Sequence, residues 1–322
     1  MVKNKSSPLS FILFILIILV AASAYFFYAN WQSVPETLIP TTQIHNSINS
    51  SFNSGNVNSN TRSKQFYPNM RFPDKSITYK IEDVCSENKA NEVQSSLHIL
   101  EDNTVLKFHQ VQAGEDAELE VICSNNAPEP TSKDHYVAGE GGPTDVLNAT
   151  LFSVIEKAQI SLYRDERCDS PHISMHEILH ALGFDHNNNP QSILYPTLDC
   201  SQEVDSYLYQ DLNTLYSIPS QADLAISSVN ATKTSRYLNF NIEVLNRGLA
   251  DANSVTLTVY ADNSLVKNFD LQTIEIGTRK LLTVENLHIS SGTEKIKFTL
   301  DKDSKIEELY EDNNNIELIL SK

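Results

Sequence analysis

Residues 176–186 read His-Glu-Ile-Leu-His-Ala-Leu-Gly-Phe-Asp-His, a spacing that puts chemistry on one face of a helix. His176 and His180 stand one turn apart, with Cβ atoms about 5–6 Å from each other. Both imidazoles can therefore reach one metal ion at the roughly 2.0–2.1 Å of a zinc–nitrogen bond. Glu177 lies off that line, where a carboxylate reaches a metal-bound water without occupying a coordination position, as a general base requires. Gly183 accepts positive φ and marks the end of the helix. The chain can then turn back so that His186 supplies a third nitrogen, and three protein ligands with an open fourth position describe a catalytic rather than a structural zinc site. Ser170 as cap, Pro171 at the first helical position, and Ile173, Ile178, Leu179 and Leu182 as apolar surface mark the start of the helix and its buried side.

The window resembles the metzincin zinc-binding consensus. Ser192-Ile193-Leu194-Tyr195-Pro196 resembles the Met-turn that metzincins place beneath the metal, in the form closest to the matrixins, with Leu194 where the family has methionine. Leucine for methionine nearly conserves volume, so activity is expected to survive it. Ser76-Ile77-Thr78-Tyr79-Lys80-Ile81 resembles the first strand of matrixin and astacin catalytic domains. The likeness covers residues 66–218, with specific motifs only between 170 and 200. It implies a zinc peptidase in which Zn2+ is held by His176, His180 and His186, with Glu177 as base and a protein or peptide as substrate. It also places residues 136–155 where matrixins carry loops and the edge strand that pairs with substrate backbone, although Gly139, Gly141 and Gly142 suit an ordinary turn-rich loop equally well. No cysteine-switch segment of the matrixin kind precedes Phe66.

The expected fold of this part is α/β (α+β), with a twisted mixed sheet and a zinc-binding helix. Val93, Leu97 and Leu100 recur at helical spacing, while Val105 to Phe108 and Leu119 to Ile122 are strand-like. Cys85, Cys123, Cys168 and Cys200 allow three pairings into two disulfides. Cys85 follows one strand and Cys123 ends another, so parallel neighbours would bring them together. Cys168 and Cys200 flank the histidine segment, which makes Cys168–Cys200 the matching second pair. A cysteine metal site is disfavoured, because no Cys-x-x-Cys occurs.

Leu9 to Ala29 is almost wholly apolar and follows Lys3 and Lys5, and no Lys or Arg then appears until Arg62. That asymmetry orients residues 1–8 to the cytoplasm and everything after the apolar run outside. Residues 9–29 are expected to be a single-pass anchor in a cell membrane, with an extracellular catalytic domain. Ala22-Ser23-Ala24 also resembles a signal-peptide cleavage site, which would make the protein secreted. Residues 30–65, rich in Ser and Asn, read as a linker that cannot bury enough surface to fold.

After Pro219 the pattern alternates with period two. Leu238, Phe240, Ile242 and Val244 share one face, as do Val255, Leu257 and Val259, then Ile296, Phe298 and Leu300, then Ile316, Leu318 and Leu320. Such strands over 221–322 describe an all-β sandwich of immunoglobulin-like type. Asn246-Arg247-Gly248 and Ile306 to Asn314 resemble the CARDB family, whose modules bind or space, so a surface ligand is a further expected partner. The carboxylates from Asp301 to Asp312 are taken as a solvated turn face, with calcium as the alternative.

The net charge of −17 argues against nucleic acid or an anionic membrane surface as a partner. Asn49, Asn148 and Asn230 occupy glycosylation sequons. The reading that follows is an extracytoplasmic zinc endopeptidase. Its rivals are a catalytically silent surface adhesion protein and a zinc amidase acting on cell-envelope material.

Overall fold

The computed structural model describes residues 16–23, 25, 36–40, 63–112, 114–129 and 136–320. Residues 16–23 are helical, with the side chains of Leu16 to Val20 exposed. The expected single-pass anchor is corrected here, because among the described residues no helix is long and apolar enough to cross a membrane. A bilayer span takes about 20 consecutive helical residues, and 16–23 falls far short of that. Residues 9–15, 24 and 26–29, the expected cytoplasmic segment 1–8, linker residues 30–35 and 41–62 and the sequon at Asn49 lie outside the described residues.

Glu36–Pro40, which composition assigns to the linker, forms strand β1 and pairs far away in sequence. From Met70 the chain runs through β2 (Met70–Arg71), β3 (Ser76–Ile81), α1 (Glu87–Asn103), β4 (Lys107–Gln110), β5 (Leu119–Cys123), β6 (Gly139–Asn148), β7 (Ser153–Leu162), α2 (His172–Ala181) and α3 (Ser206–Ser217). β3 pairs in parallel with both β4 and β5, and β7 in parallel with β5 and β2. Parallel neighbours require crossover connections, and α1 supplies the one between β3 and β4. Ser86 caps α1 by accepting from Lys89 N, and its Val93, Leu97 and Leu100 enter the same core as Ile178 and Leu179 of α2. β6 runs antiparallel to β7, from Gly139↔Leu162 to Asn148↔Ser153, and forms an edge. β3 and β5 being neighbours, Cys85 and Cys123 bond; the other disulfide is Cys168–Cys200.

Arg71 is buried because its charge is fully engaged. Its guanidinium donates to the carbonyls of Phe72, Pro73, Leu215 and Ile218, and it stacks 4.4 Å from the centroid of the Tyr216 ring. This fastens the end of α3 to the start of the sheet.

The second unit is a sandwich of β8 (Leu224–Thr234), β9 (Tyr237–Asn246), β10 (Ala252–Ala261), β11 (Ser264–Ile274), β12 (Arg279–His288), β13 (Lys295–Leu300) and β14 (Asn315–Leu320). Its core holds the alternating residues expected from sequence from Leu238 to Leu318, Phe240 and Phe298 meeting at a centroid distance of 4.9 Å. β1 joins the two halves of its sheet. Glu36 and Thr37 pair with Lys233 and Thr232 of β8, while Leu38, Ile39 and Pro40 pair with Leu320, Ile319 and Leu318 of β14. A separate apolar cluster links the units: Leu151, Phe152 and Val154 at the β6–β7 turn pack with Leu249, Ile276 and Tyr310 of the sandwich.

Asn246-Arg247-Gly248 is a structural hub. Asn246 Oδ1 accepts from Asp223 N and Gly248 N, its Nδ2 donates to the carbonyls of Ala250 and Ile274, and Arg247 reaches Asp223 Oδ2 with Nε at 2.9 Å and NH2 at 2.8 Å. A Cβ on Gly248 would lie 2.4 Å from the carbonyl oxygen of Gln221, so no larger residue fits. In the acidic stretch, Asp301 is buried and accepts from Ile306 N, and Glu308 accepts from Leu224 N, so these carboxylates hold backbone as well as face solvent. Among the described residues no three of them converge as metal ligands.

Candidate active site

Every residue of α2 is buried. Its start differs from the expectation: Pro171 occupies the N-cap position, and the Ser170 hydroxyl turns to His172 Nδ1 at 3.0 Å. The capping acceptor is Glu166, whose Oε2 accepts from Ile173 N at 2.8 Å and whose Oε1 accepts from Arg167 N and Cys168 N. A carboxylate there also complements the positive end of the helix dipole. At the other end, Gly183 has φ +94°, and a Cβ on it would lie 2.8 Å from Met70 Cγ. Gly183 is therefore required twice, for the left-handed turn and for the close approach of β2.

That turn brings the third histidine in. The Nε2 atoms of His176 and His180 lie 2.9 Å apart, and each lies 3.2 Å from Nε2 of His186. Nδ1 of His176 donates to the Ile193 carbonyl at 2.6 Å, and Nδ1 of His180 donates to the Phe184 carbonyl at 2.7 Å. With the proton placed on Nδ1, both Nε2 atoms carry lone pairs toward the same point. Acceptors facing one another at this distance are repulsive alone and favourable around a cation. Burial lowers the pKa of all three rings, that of His176 to about 3 with the neighbouring His180 as second cause, which keeps the imidazoles neutral and able to ligate. Three imidazole nitrogens suit zinc, so the residues present fit the metal that the motif implies.

Glu177, in the next position, is 4 % exposed and lies against β6. A Cβ on Gly139 would meet Glu177 Cγ and Oε1 at 2.8 Å, and one on Gly141 would meet its carbonyl oxygen at 2.3 Å. The glycines therefore belong to a strand pressed onto the helix. Burial raises the pKa of Glu177 to about 8, and the carboxylate of Glu140 adds to the shift.

Leu194, at the sequence position of the methionine in the turn that this segment resembles, is buried. Ser192 Oγ accepts from Leu194 N and from Asn187 Nδ2 and donates to Asp205 Oδ2, while Asp205 Oδ1 accepts from Asn189 Nδ2. The loop between His186 and Ile193, whose carbonyl holds His176, is thereby fixed from below.

Comparisons with known proteins match two families along the chain. Residues 71–217 match the matrixin family model. The matrixin domain is followed by a match to the CARDB family over residues 221–318. A relative of the matrixin domain is macrophage metalloelastase of Oryctolagus cuniculus, 26% identical over 148 residues, which are 44% of this chain and 29% of that protein. The chain thus matches less than a third of that relative's length. Crystal and solution structures of a CARDB domain from Pyrococcus furiosus, the former in complex with di-metal ions, are each 21% identical to this chain. Each covers 31% of it, the matches spanning 88% and 94% of those chains, with a TM-score of 0.27 in both cases.

Matrixins are zinc metalloproteases, and in this matrixin domain His176, His180 and His186 are close enough to bind one metal ion. Sequence reasoning missed Glu166 and Asp205, whose roles depend on neighbours 7 and 13 residues away in the chain. It also left Gly139 and Gly141 undecided. Their one sequence signal, glycine alternating within a segment of strand length, becomes informative only once the helix they touch is known.

Proposed function

We propose that the matrixin domain is an extracytoplasmic zinc endopeptidase. The observation that carries this is the convergence of three Nε2 atoms within 3.2 Å of one another beside a buried carboxylate. When bound there, zinc supplies a Lewis acid that lowers the pKa of its water and polarises a peptide carbonyl. Nδ1 of His176 and of His180, each held by a carbonyl, orients its ring. Glu177 accepts a proton at its carboxylate as water adds to the peptide carbonyl, and returns it to the nitrogen of the leaving amine. A carboxyl group whose pKa is raised by burial is poised for both halves of that transfer, and a cation close by draws it toward the charged form.

The edge of β6, which pairs with no strand but β7 among the described residues, supports a peptide substrate, because an extended chain can add its backbone hydrogen bonds there. Two disulfides support an oxidising compartment. The test is hydrolysis of casein by the full-length chain, with and without a chelator. Activity is expected to vanish with chelator, return with zinc, and fall about 10²- to 10⁴-fold in Glu177→Ala. Undiminished cleavage by Glu177→Ala would remove that residue from the mechanism.

A further inference from the structure

Glu140 lies on the edge strand β6, between the two glycines that touch Glu177. Successive side chains of a strand point to opposite faces. The backbone at Gly139 and Gly141 faces α2, so Glu140 projects to the other face of the sheet. Its carboxylate is exposed there, and Oε2 accepts from Tyr163 Oη at 2.7 Å. No Lys or Arg among the described residues pairs with it. Nearby Arg164 and Arg167 lie over the Tyr136 ring, at 5.6 Å and 5.8 Å from its centroid. The carboxylate is held in place by a neutral partner, so its charge faces the outer rim of the edge strand.

From this placement, we infer that Glu140 selects substrates carrying a lysine or arginine close to the scissile bond. The inference rests on the endopeptidase reading and adds to it a preference within the same site. A substrate strand laid along β6 places one side chain directly opposite Glu140, on the same face, with Cβ atoms about 4.5–5.5 Å apart. Because Gly139 and Gly141, on either side of Glu140, lie against Glu177, that substrate residue falls close to the bond reached by the Glu177 carboxylate. An opposite-charge cross-strand pair contributes about 0.2–1 kcal/mol, a preference of up to about fivefold. A like charge opposite is disfavoured.

The test is a peptide library varied among Lys, Arg, Gln and Glu at each position flanking a cleavable bond, digested by the wild-type chain and by Glu140→Gln and Glu140→Lys. The wild type should favour Lys or Arg over Gln by about two- to fivefold at one position, mainly through KM and less so at high salt. Glu140→Gln, which can still accept from Tyr163 Oη, should cleave with that preference erased, and Glu140→Lys should turn it toward Glu. A merely structural Glu140 would leave the preference of Glu140→Gln unchanged, and that result overturns the inference. Cleavage by the wild type without any basic preference overturns it as well. Failure of the zinc-loaded wild type to cleave any peptide would instead remove the endopeptidase reading on which the inference stands.

Discussion

The molecule holds two buried polar clusters, and their difference separates a site from a scaffold. In the sandwich, Asp223, Arg247, Asn246 and Asn313 exchange hydrogen bonds among themselves and with backbone, and the acceptors of Asp223 meet Arg247 and Asn313 Nδ2. In the matrixin domain, three Nε2 acceptors face one another while the remaining nitrogens of His176 and His180 are pinned from behind. In one cluster the acceptors of Asp223 meet a guanidinium and an amide, although Asn313 Oδ1 finds no partner among the described residues, whereas in the other three acceptors converge on a point that suits a cation. Burial alone does not mark function, since Asp223 is 0% exposed and His176 5%. Unmet valence does.

The largest effect is expected at Arg247. Removing one partner of a buried ion pair leaves an uncompensated charge and costs about 3–5 kcal/mol. Arg247→Ala should therefore unfold the sandwich at markedly lower denaturant, followed by hydrogen exchange in β9 and β13. A change under about 1 kcal/mol would show that the hub is not what holds those loops.

A smaller effect is expected where the metal cluster leans on its support. Asp205 fixes Ser192 and Asn189, and through them the loop joining His186 to Ile193. Outer partners of this kind typically contribute 10- to 100-fold to metal affinity, so Asp205→Ala should weaken zinc binding by about tenfold in competition with a chelator while the chain stays folded. Unchanged affinity would show that the three rings are set by α2 and its turn alone.

The smallest effect concerns pH. Burial raises Glu308 to about 7 and raises Asp223 as well, against the opposing pull of Arg247. Both folded-state pKa values lie above the ordinary carboxylate values, so the protonated forms favour folding. For Glu308 the contribution is fully present below about pH 4 and is lost as pH rises through about 7. The thermal midpoint of the sandwich should fall between pH 5 and pH 8, and Glu308→Gln should flatten that fall. A slope of the opposite sign would contradict the assignment.

Local patterns in the sequence were the legible part. The helix carrying His176 and His180, the turn at Gly183 and the alternation at Phe240 and Phe298 each follow from a period or from one special residue. The disulfide pairing stayed conditional until β3 and β5 proved to be parallel neighbours, which brings Cys85, just after β3, to Cys123 at the end of β5. Features built across the chain were not legible. Glu166 rather than Ser170 caps α2, β1 pairs with β8 and β14, and Gly139 touches Glu177, all through contacts made only when distant elements pack. The single-pass anchor expected from the apolar run at Leu9 is not borne out, since among the described residues no helix is long and apolar enough to cross a membrane.

Zinc stoichiometry of the full-length protein tests the central claim most directly. One zinc per chain is expected, with Nε2 of all three histidines ligating, and His186→Ala should lower the affinity sharply while leaving Arg247 and the sandwich undisturbed. A protein that binds no zinc, or binds it equally well without His186, would contradict the account.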